Sequence, residues 1–129
     1  MFFQISCSQQ TTTTNNYIMG KDVTGYVDVT CEQATVSLKS IPIIVLDVRT
    51  PEEFSAEHLQ NAININYYDS TFQTQLGNLD KSKTYLVYCR SGHRSSEAMD
   101  AMEQMGFENV LNLEGGIIAW KEAKLPVTQ

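Results

Sequence analysis

The residues with the plainest chemical potential run from Tyr85 to Ser96: Tyr-Leu-Val-Tyr-Cys-Arg-Ser-Gly-His-Arg-Ser-Ser. An apolar strand delivers Cys89, a short polar loop follows it, and a helix begins. The chain has only three arginines, Arg49, Arg90 and Arg94, and two of them lie within five positions of Cys89. Guanidinium groups beside a thiol, and the unpaired N–H groups at a helix start, both favour S⁻ over SH. S⁻ is the nucleophile, so the stretch reads as a thiolate site with Cys89 as its catalytic residue.

Cys89 and Arg94 are spaced C-x4-R. Curled round the sulfur, this loop aims the N–H groups of Arg90 to Ser95 inward, and Gly92 lets the backbone bend without a Cβ in the way. Such a cradle can hold a thiolate, a persulfide or an oxyanion, and it lowers the cysteine pKa from its free value of about 8.5. Arg90, Ser91, Gly92, His93, Arg94 and Ser95 are therefore the candidate substrate-binding set. Arg90 and Arg94 supply charge, and Arg94 can alternatively tie the loop down. Ser91 and Ser95 supply N–H and hydroxyl donors. For His93 two readings stand open: a local acid or charge that tunes acceptor choice, or a solvated loop residue.

Regular elements must hold that loop. Ile43-Ile44-Val45-Leu46 is a continuous apolar run, the mark of a central parallel strand covered on both faces. Thr84 to Tyr88 is a second one. Tyr26 to Val29 alternates and predicts an edge strand; Ala62 to Ile65 and Val110 to Leu113 predict two more. Thr30 caps a helix running through Ala34 to Leu38, which Ile41-Pro42 ends. Thr50 caps a second, with Pro51 at its first position and Glu52-Glu53 at its positive end. Ser70 to Leu76 predicts a helix stopped by Gly77. Ser95 to Met105 predicts another, with Ala98, Ala101, Met102 and Met105 on one face. Ile117 to Lys121, carrying Trp120, is the last. Strands alternating with helices give an α/β domain over residues 25–129, a central, mainly parallel sheet flanked by helices. In such folds the site lies at the carboxyl ends of the strands. Asp47, Cys89 and Glu114 all fall there. Asp47 and Arg49 read as a charged pair giving structural support, Gly115 and Gly116 as a tight turn beside the loop, and His58, Cys31 and Trp120 as packing residues.

Composition sets the outer limits. A chain of 129 residues with 42% apolar and 19% charged residues is an ordinary globular domain, and its net charge of −6 argues against nucleic acid or an anionic membrane as partner. Three cysteines without a close pair form no disulfide framework and offer no zinc spacing, and His58 and His93 stand far apart, so no metal is expected. No apolar run is long enough to span a bilayer. Residues 1–24 read as a disordered or tethering segment, with Thr11-Thr12-Thr13-Thr14-Asn15-Asn16 at its centre. Free-thiol chemistry suits a reducing cytoplasm. The alternative is a periplasmic or membrane-anchored lipoprotein carrying its lipid on Cys7, although the segment before it lacks a basic start.

From Val29 to Val127, about three quarters of the chain, the sequence resembles the rhodanese (thiosulfate sulfurtransferase) family in its single-domain form. The matching residues are Leu46-Asp47-Val48-Arg49-Thr50-Pro51-Glu52-Glu53-Phe54, Glu57-His58-Leu59 with Ala62-Ile63-Asn64-Ile65, the loop Tyr88 to Ser95, and Gly106-Phe107 with Asn112-Leu113-Glu114-Gly115-Gly116-Ile117 and Trp120. The resemblance implies a rhodanese-like fold and a two-step transfer. A small anionic donor such as thiosulfate leaves a persulfide on Cys89, and cyanide or a thiol, which a thioredoxin-like protein can also present, removes it. It implies no metal and no organic cofactor, and a monomer suffices. Related phosphatases and arsenate reductases use C-x5-R, a longer loop for a larger oxyanion, so that chemistry ranks below sulfur transfer. A persulfide carrier or regulatory module that docks a partner protein is the remaining alternative.

Overall fold

The computed structural model describes residues 25–129. The expectations for residues 1–24, a tether and a lipid-bearing Cys7, lie outside the described residues. Five strands form one sheet in the order β1 (Gly25–Val29), β6 (Asn109–Leu113), β5 (Thr84–Tyr88), β2 (Ile44–Asp47) and β4 (Ile63–Asn64). All four pairings in it are parallel. β5 and β2, the two continuous apolar runs, lie beside each other inside the sheet, and β1 takes an edge.

Each central strand feeds both faces of the sheet. Tyr85, Val87 and Cys89 pack on one side with Leu46, Val48, Met102 and Phe107; Leu86 and Tyr88 pack on the other with Val45, Leu111, Leu113 and Trp120. This two-sided burial is what a period-2 strand gives when helices cover both faces. Cys89 thus leaves β5 on the side covered by α3 (Phe72–Gly77) and α4 (His93–Gln104), while α1 (Cys31–Ser40) and α5 (Gly116–Glu122) cover the other.

Helix starts follow the capping residues. Thr30 and Thr50 each close a capping box, with Gln33 and Glu53 respectively, at the heads of α1 and α2 (Pro51–Ala56). α4 departs from expectation: it begins at His93, not Ser95, because Gly92 adopts a left-handed conformation (φ 110°) and serves as the N-cap. Gly116 departs too, entering the first turn of α5 behind an N-cap at Gly115. A second small sheet, β3 (His58–Leu59) with β7 (Val127–Thr128), is antiparallel. No helix among the described residues is long and apolar enough to cross a membrane.

Candidate active site

Cys89 follows β5 and is 1% exposed. Three donors converge on Sγ: the Gly92 N–H at 3.0 Å, the Ser95 N–H at 3.4 Å and the Ser95 hydroxyl at 3.4 Å. Ser95 is the third residue of α4, so its N–H is one of the first-turn donors that have no intrahelical acceptor. Burial by itself raises the Cys89 pKa, but the hydrogen bonds from Ser95, Gly92 and Ser91 outweigh it and leave the thiol below its ordinary value. The donors around the sulfur favour its thiolate form.

The loop is pinned from outside by α5. The Ile117 and Ile118 N–H groups donate to the Cys89 and Arg90 carbonyls at 2.9 and 3.2 Å. Gly116 lies so close that a Cβ there would stand 2.4 Å from the Arg90 carbonyl oxygen. That contact, with φ at 60°, is the physical demand for glycine at position 116.

The two loop arginines part company. Arg94 forms a bidentate pair with Glu53 and rests 5.5 Å above the Tyr68 ring. The Glu53 hydrogen bond raises the Arg94 pKa, and the nearby Cys89 adds to it. Glu53 is correspondingly held down to about 2, chiefly by Arg94. Arg90 is exposed, and its guanidinium makes no hydrogen bond or ion pair among the described residues. It lines a cleft of about 340 Å³ between α2 and α5, together with Arg49, Glu53, Ile117, Ile118 and Lys121. Lys121 bridges that cleft to Glu57. Ser91 is exposed, and His93 faces solvent beside Glu97. A larger cavity of about 520 Å³ lies elsewhere, walled by Leu38, Ile43, Leu59 and Trp120, and carries none of the loop residues.

Beneath the loop lies a buried polar knot. Asp47, fully buried, receives Arg49 Nη2 at 2.7 Å, the Arg49 main-chain N–H at 2.8 Å and the Tyr88 hydroxyl. Burial works against the Arg49 charge, but the Asp47 carboxylate more than offsets it, so the Arg49 pKa rises. Arg49 also donates to the Glu57 carbonyl at 2.7 Å, and Tyr88 accepts from the Leu59 N–H at 3.0 Å. Asn64 completes the knot with bonds to the Asp47 and Arg49 carbonyls. His58 stacks on Phe54 and bonds its carbonyl. Cys31 lies half-buried at the head of α1, where burial raises its pKa. No group of His, Cys, Asp and Glu able to hold a metal occurs among the described residues.

Sequence reasoning did not find Glu53 as the partner of Arg94, Tyr88 as the partner of Asp47, or the α2–α5 cleft. Thr50-x-x-Glu53 was readable as a capping box, but a capping glutamate carries no sign of a second partner 41 residues away.

A family profile described as Rhodanese-like domain matches residues 30–123. This chain belongs to the rhodanese-like domain family. It is 35% identical over 80 residues to a thiosulfate sulfurtransferase of Escherichia coli, covering 59% of this chain and 77% of that protein. An uncharacterized Synechocystis protein is 37% identical over 87 residues, 67% of this chain, and the chain spans only 48% of its length. Among solved structures, a rhodanese-related protein from Thermoplasma volcanium superposes with a TM-score of 0.71 at 33% identity, over 80% of this chain and 98% of the other. The α/β architecture with its parallel five-stranded sheet is the rhodanese fold, and membership supports sulfurtransferase activity in general terms.

Proposed function

We propose that this rhodanese-family chain transfers sulfane sulfur from an anionic donor such as thiosulfate to a thiophilic acceptor through a persulfide on Cys89. The observation that carries this reading is the convergence of three donors on a buried Sγ that sits at a helix start. In the first step the Cys89 thiolate attacks the outer sulfur of thiosulfate. The new S–S bond forms as the old one breaks, and sulfite leaves with the bonding pair. In the second step cyanide or a thiolate attacks the outer sulfur and Cys89 leaves as a thiolate. The same N–H groups stabilise the negative charge before and after transfer, without reorganisation. The Arg90 guanidinium, without a partner among the described residues, draws the donor anion to the loop. The thiosulfate-named relative in Escherichia coli supports the choice of donor.

The test has two readouts: thiocyanate formation from thiosulfate and cyanide, and mass spectrometry of the chain after thiosulfate alone. Turnover and one added sulfur on Cys89 are expected, and Cys89→Ser should lose both. Undiminished turnover in Cys89→Ser would sink the reading. A stable added sulfur with almost no release to small acceptors would instead mark a carrier that hands sulfur to a docked protein, such as a thioredoxin-like one.

A further inference from the structure

His93 occupies the first position of α4, between the two residues whose N–H groups touch the Cys89 sulfur. Its side chain is 82% exposed, so packing does not explain its placement. One turn along the helix, Glu97 Oε2 lies 3.3 Å from its Nε2. An exposed pair of this kind on one helix is ordinarily loose and weak. Here the other carboxylate oxygen, Glu97 Oε1, accepts from the Tyr67 hydroxyl, which belongs to the segment between β4 and α3. Glu97 is therefore fixed from a second element. Tyr67 is in turn flanked by Tyr68 and Phe72. Among the described residues, Glu97 is the only charged side chain against the imidazole, and apart from His93 itself Tyr67 is the only titratable group against Glu97. His93 Nδ1 has no partner among the described residues. A carboxylate that holds one ring nitrogen fixes the tautomer and leaves the other nitrogen able to take a proton.

The sulfurtransferase reading creates a need for such a group, and this inference rests on that reading. An ordinary thiol has a pKa of about 8.5 and is mostly protonated at neutral pH, so it is a poor nucleophile until its proton is removed. We propose that His93, oriented by Glu97, is the general base for thiol acceptors. Its Nδ1 takes the acceptor's S–H proton. The freed pair on the acceptor sulfur bonds to the outer sulfur of the persulfide, and the bond from that sulfur to Cys89 Sγ breaks. Sγ keeps the pair as a thiolate under the Gly92 and Ser95 donors. The acceptor leaves as a persulfide, and the imidazolium returns its proton to water. No external oxidant or reductant is required.

The experiment loads the full chain with sulfur from thiosulfate and follows single-turnover release to two acceptors at neutral pH. One is 2-mercaptoethanol, which is protonated there; the other is an aromatic thiol that is already ionised. General-base assistance is worth a factor of about 10² or more, and solvent replaces part of it in a variant. His93→Gln should therefore lower the ratio of aliphatic to aromatic rates on the order of tenfold, with the gap closing as pH rises past the pKa of the aliphatic thiol. Glu97→Gln should move the ratio the same way by less. A ratio unmoved by His93→Gln, with both acceptors served at wild-type proportions, overturns the proposal alone. A wild-type chain that never takes sulfur onto Cys89 overturns both this and the reading beneath it.

Discussion

Arg94 and Glu53, 41 residues apart, face each other through two parallel hydrogen bonds, Nη1 to Oε1 at 3.0 Å and Nη2 to Oε2 at 3.2 Å. The pair ties the first turn of α4, which carries the sulfur's donors, to α2. Glu53 is itself fixed by its capping box with Thr50. The bridge thus passes rigidity from one helix start to another. On the proposed sulfurtransferase reading it also divides labour in the loop: Arg94 holds the structure and Arg90 is left for the substrate.

Arg90→Ala and Arg94→Ala should therefore fail differently. A charge-assisted hydrogen bond is worth about 1.5 kcal/mol, so losing Arg90 should raise the KM for thiosulfate on the order of tenfold with little change in Tm. Losing Arg94 should lower Tm and kcat. Steady-state kinetics beside thermal melts separate them; a lower Tm in Arg90→Ala alone would reverse the assignment.

Acidification should find Glu53. Its pKa is lowered from 4.5 to about 2, chiefly by the Arg94 hydrogen bond. A depressed carboxylate contributes stability that is fully present above its unfolded value and is lost as pH falls through the folded one. The wild type should exceed Glu53→Gln in stability near neutrality by about 1 kcal/mol, as for a partly exposed pair. That advantage should shrink between pH 4.5 and about 2. Urea melts across this window measure it, and a constant gap would contradict the linkage.

The same contrast between local and distant partners decides what was legible in the sequence. Cys89, Gly92 and the helix after them are contiguous, so a strand, a turn residue and a helix start could be read together. The strand runs 43–46 and 84–88 announced themselves by unbroken hydrophobicity, and two-sided burial placed Cys89 at a strand's carboxyl end. The helix boundary slipped by two residues because only the backbone conformation of Gly92 makes it an N-cap. β3 and β7 were invisible: each is two residues long, and His58 pairs with Thr128, at the far end of the chain. Glu53 with Arg94, and Tyr88 with Asp47, are pairings of the same long-range kind.

Ser95 should govern the ionisation of Cys89. Burial pushes the thiol up, and the Ser95 hydroxyl is the first of the hydrogen bonds that bring it down. Ser95→Ala removes that donor but keeps the Ser95 N–H position and the helix start. The thiolate absorbance of Cys89, followed against pH with Cys89→Ser as blank, should show a midpoint below 9.0 in the wild type and a higher one in the variant. Coincident curves would assign the shift to the backbone alone.

The buried knot beneath the loop should show the asymmetry between losing a bond and stranding a charge. Tyr88→Phe removes the hydroxyl that donates to Asp47 and accepts from the Leu59 N–H, a loss of about 1–3 kcal/mol. Asp47→Ala leaves the Arg49 guanidinium, in a residue 4% exposed, without its carboxylate, a loss of about 3–5 kcal/mol. Denaturant unfolding should rank Asp47→Ala as the worse of the two; equal losses would mean that solvent reaches Arg49 when the carboxylate is gone.

Gly116 and Gly106 separate strain from contact. Both have positive φ, 60° and 93°, so an alanine at either carries a left-handed backbone cost of about 1–2 kcal/mol. At Gly106 a Cβ meets nothing within 4 Å, whereas at Gly116 it would stand 2.4 Å from the Arg90 carbonyl oxygen and 2.5 Å from that of Cys89. Those two carbonyls accept the Ile117 and Ile118 N–H groups that pin the loop. Backbone atoms cannot swing aside as a side-chain end does, so the cradle must shift and its distances to Sγ must change. Gly106→Ala should cost stability only. Gly116→Ala should cost more, and should also raise the Cys89 pKa and slow persulfide formation in the fraction that stays folded. Thiolate titration and thiosulfate loading of the two variants, side by side, would expose a purely conformational effect as equal behaviour in both.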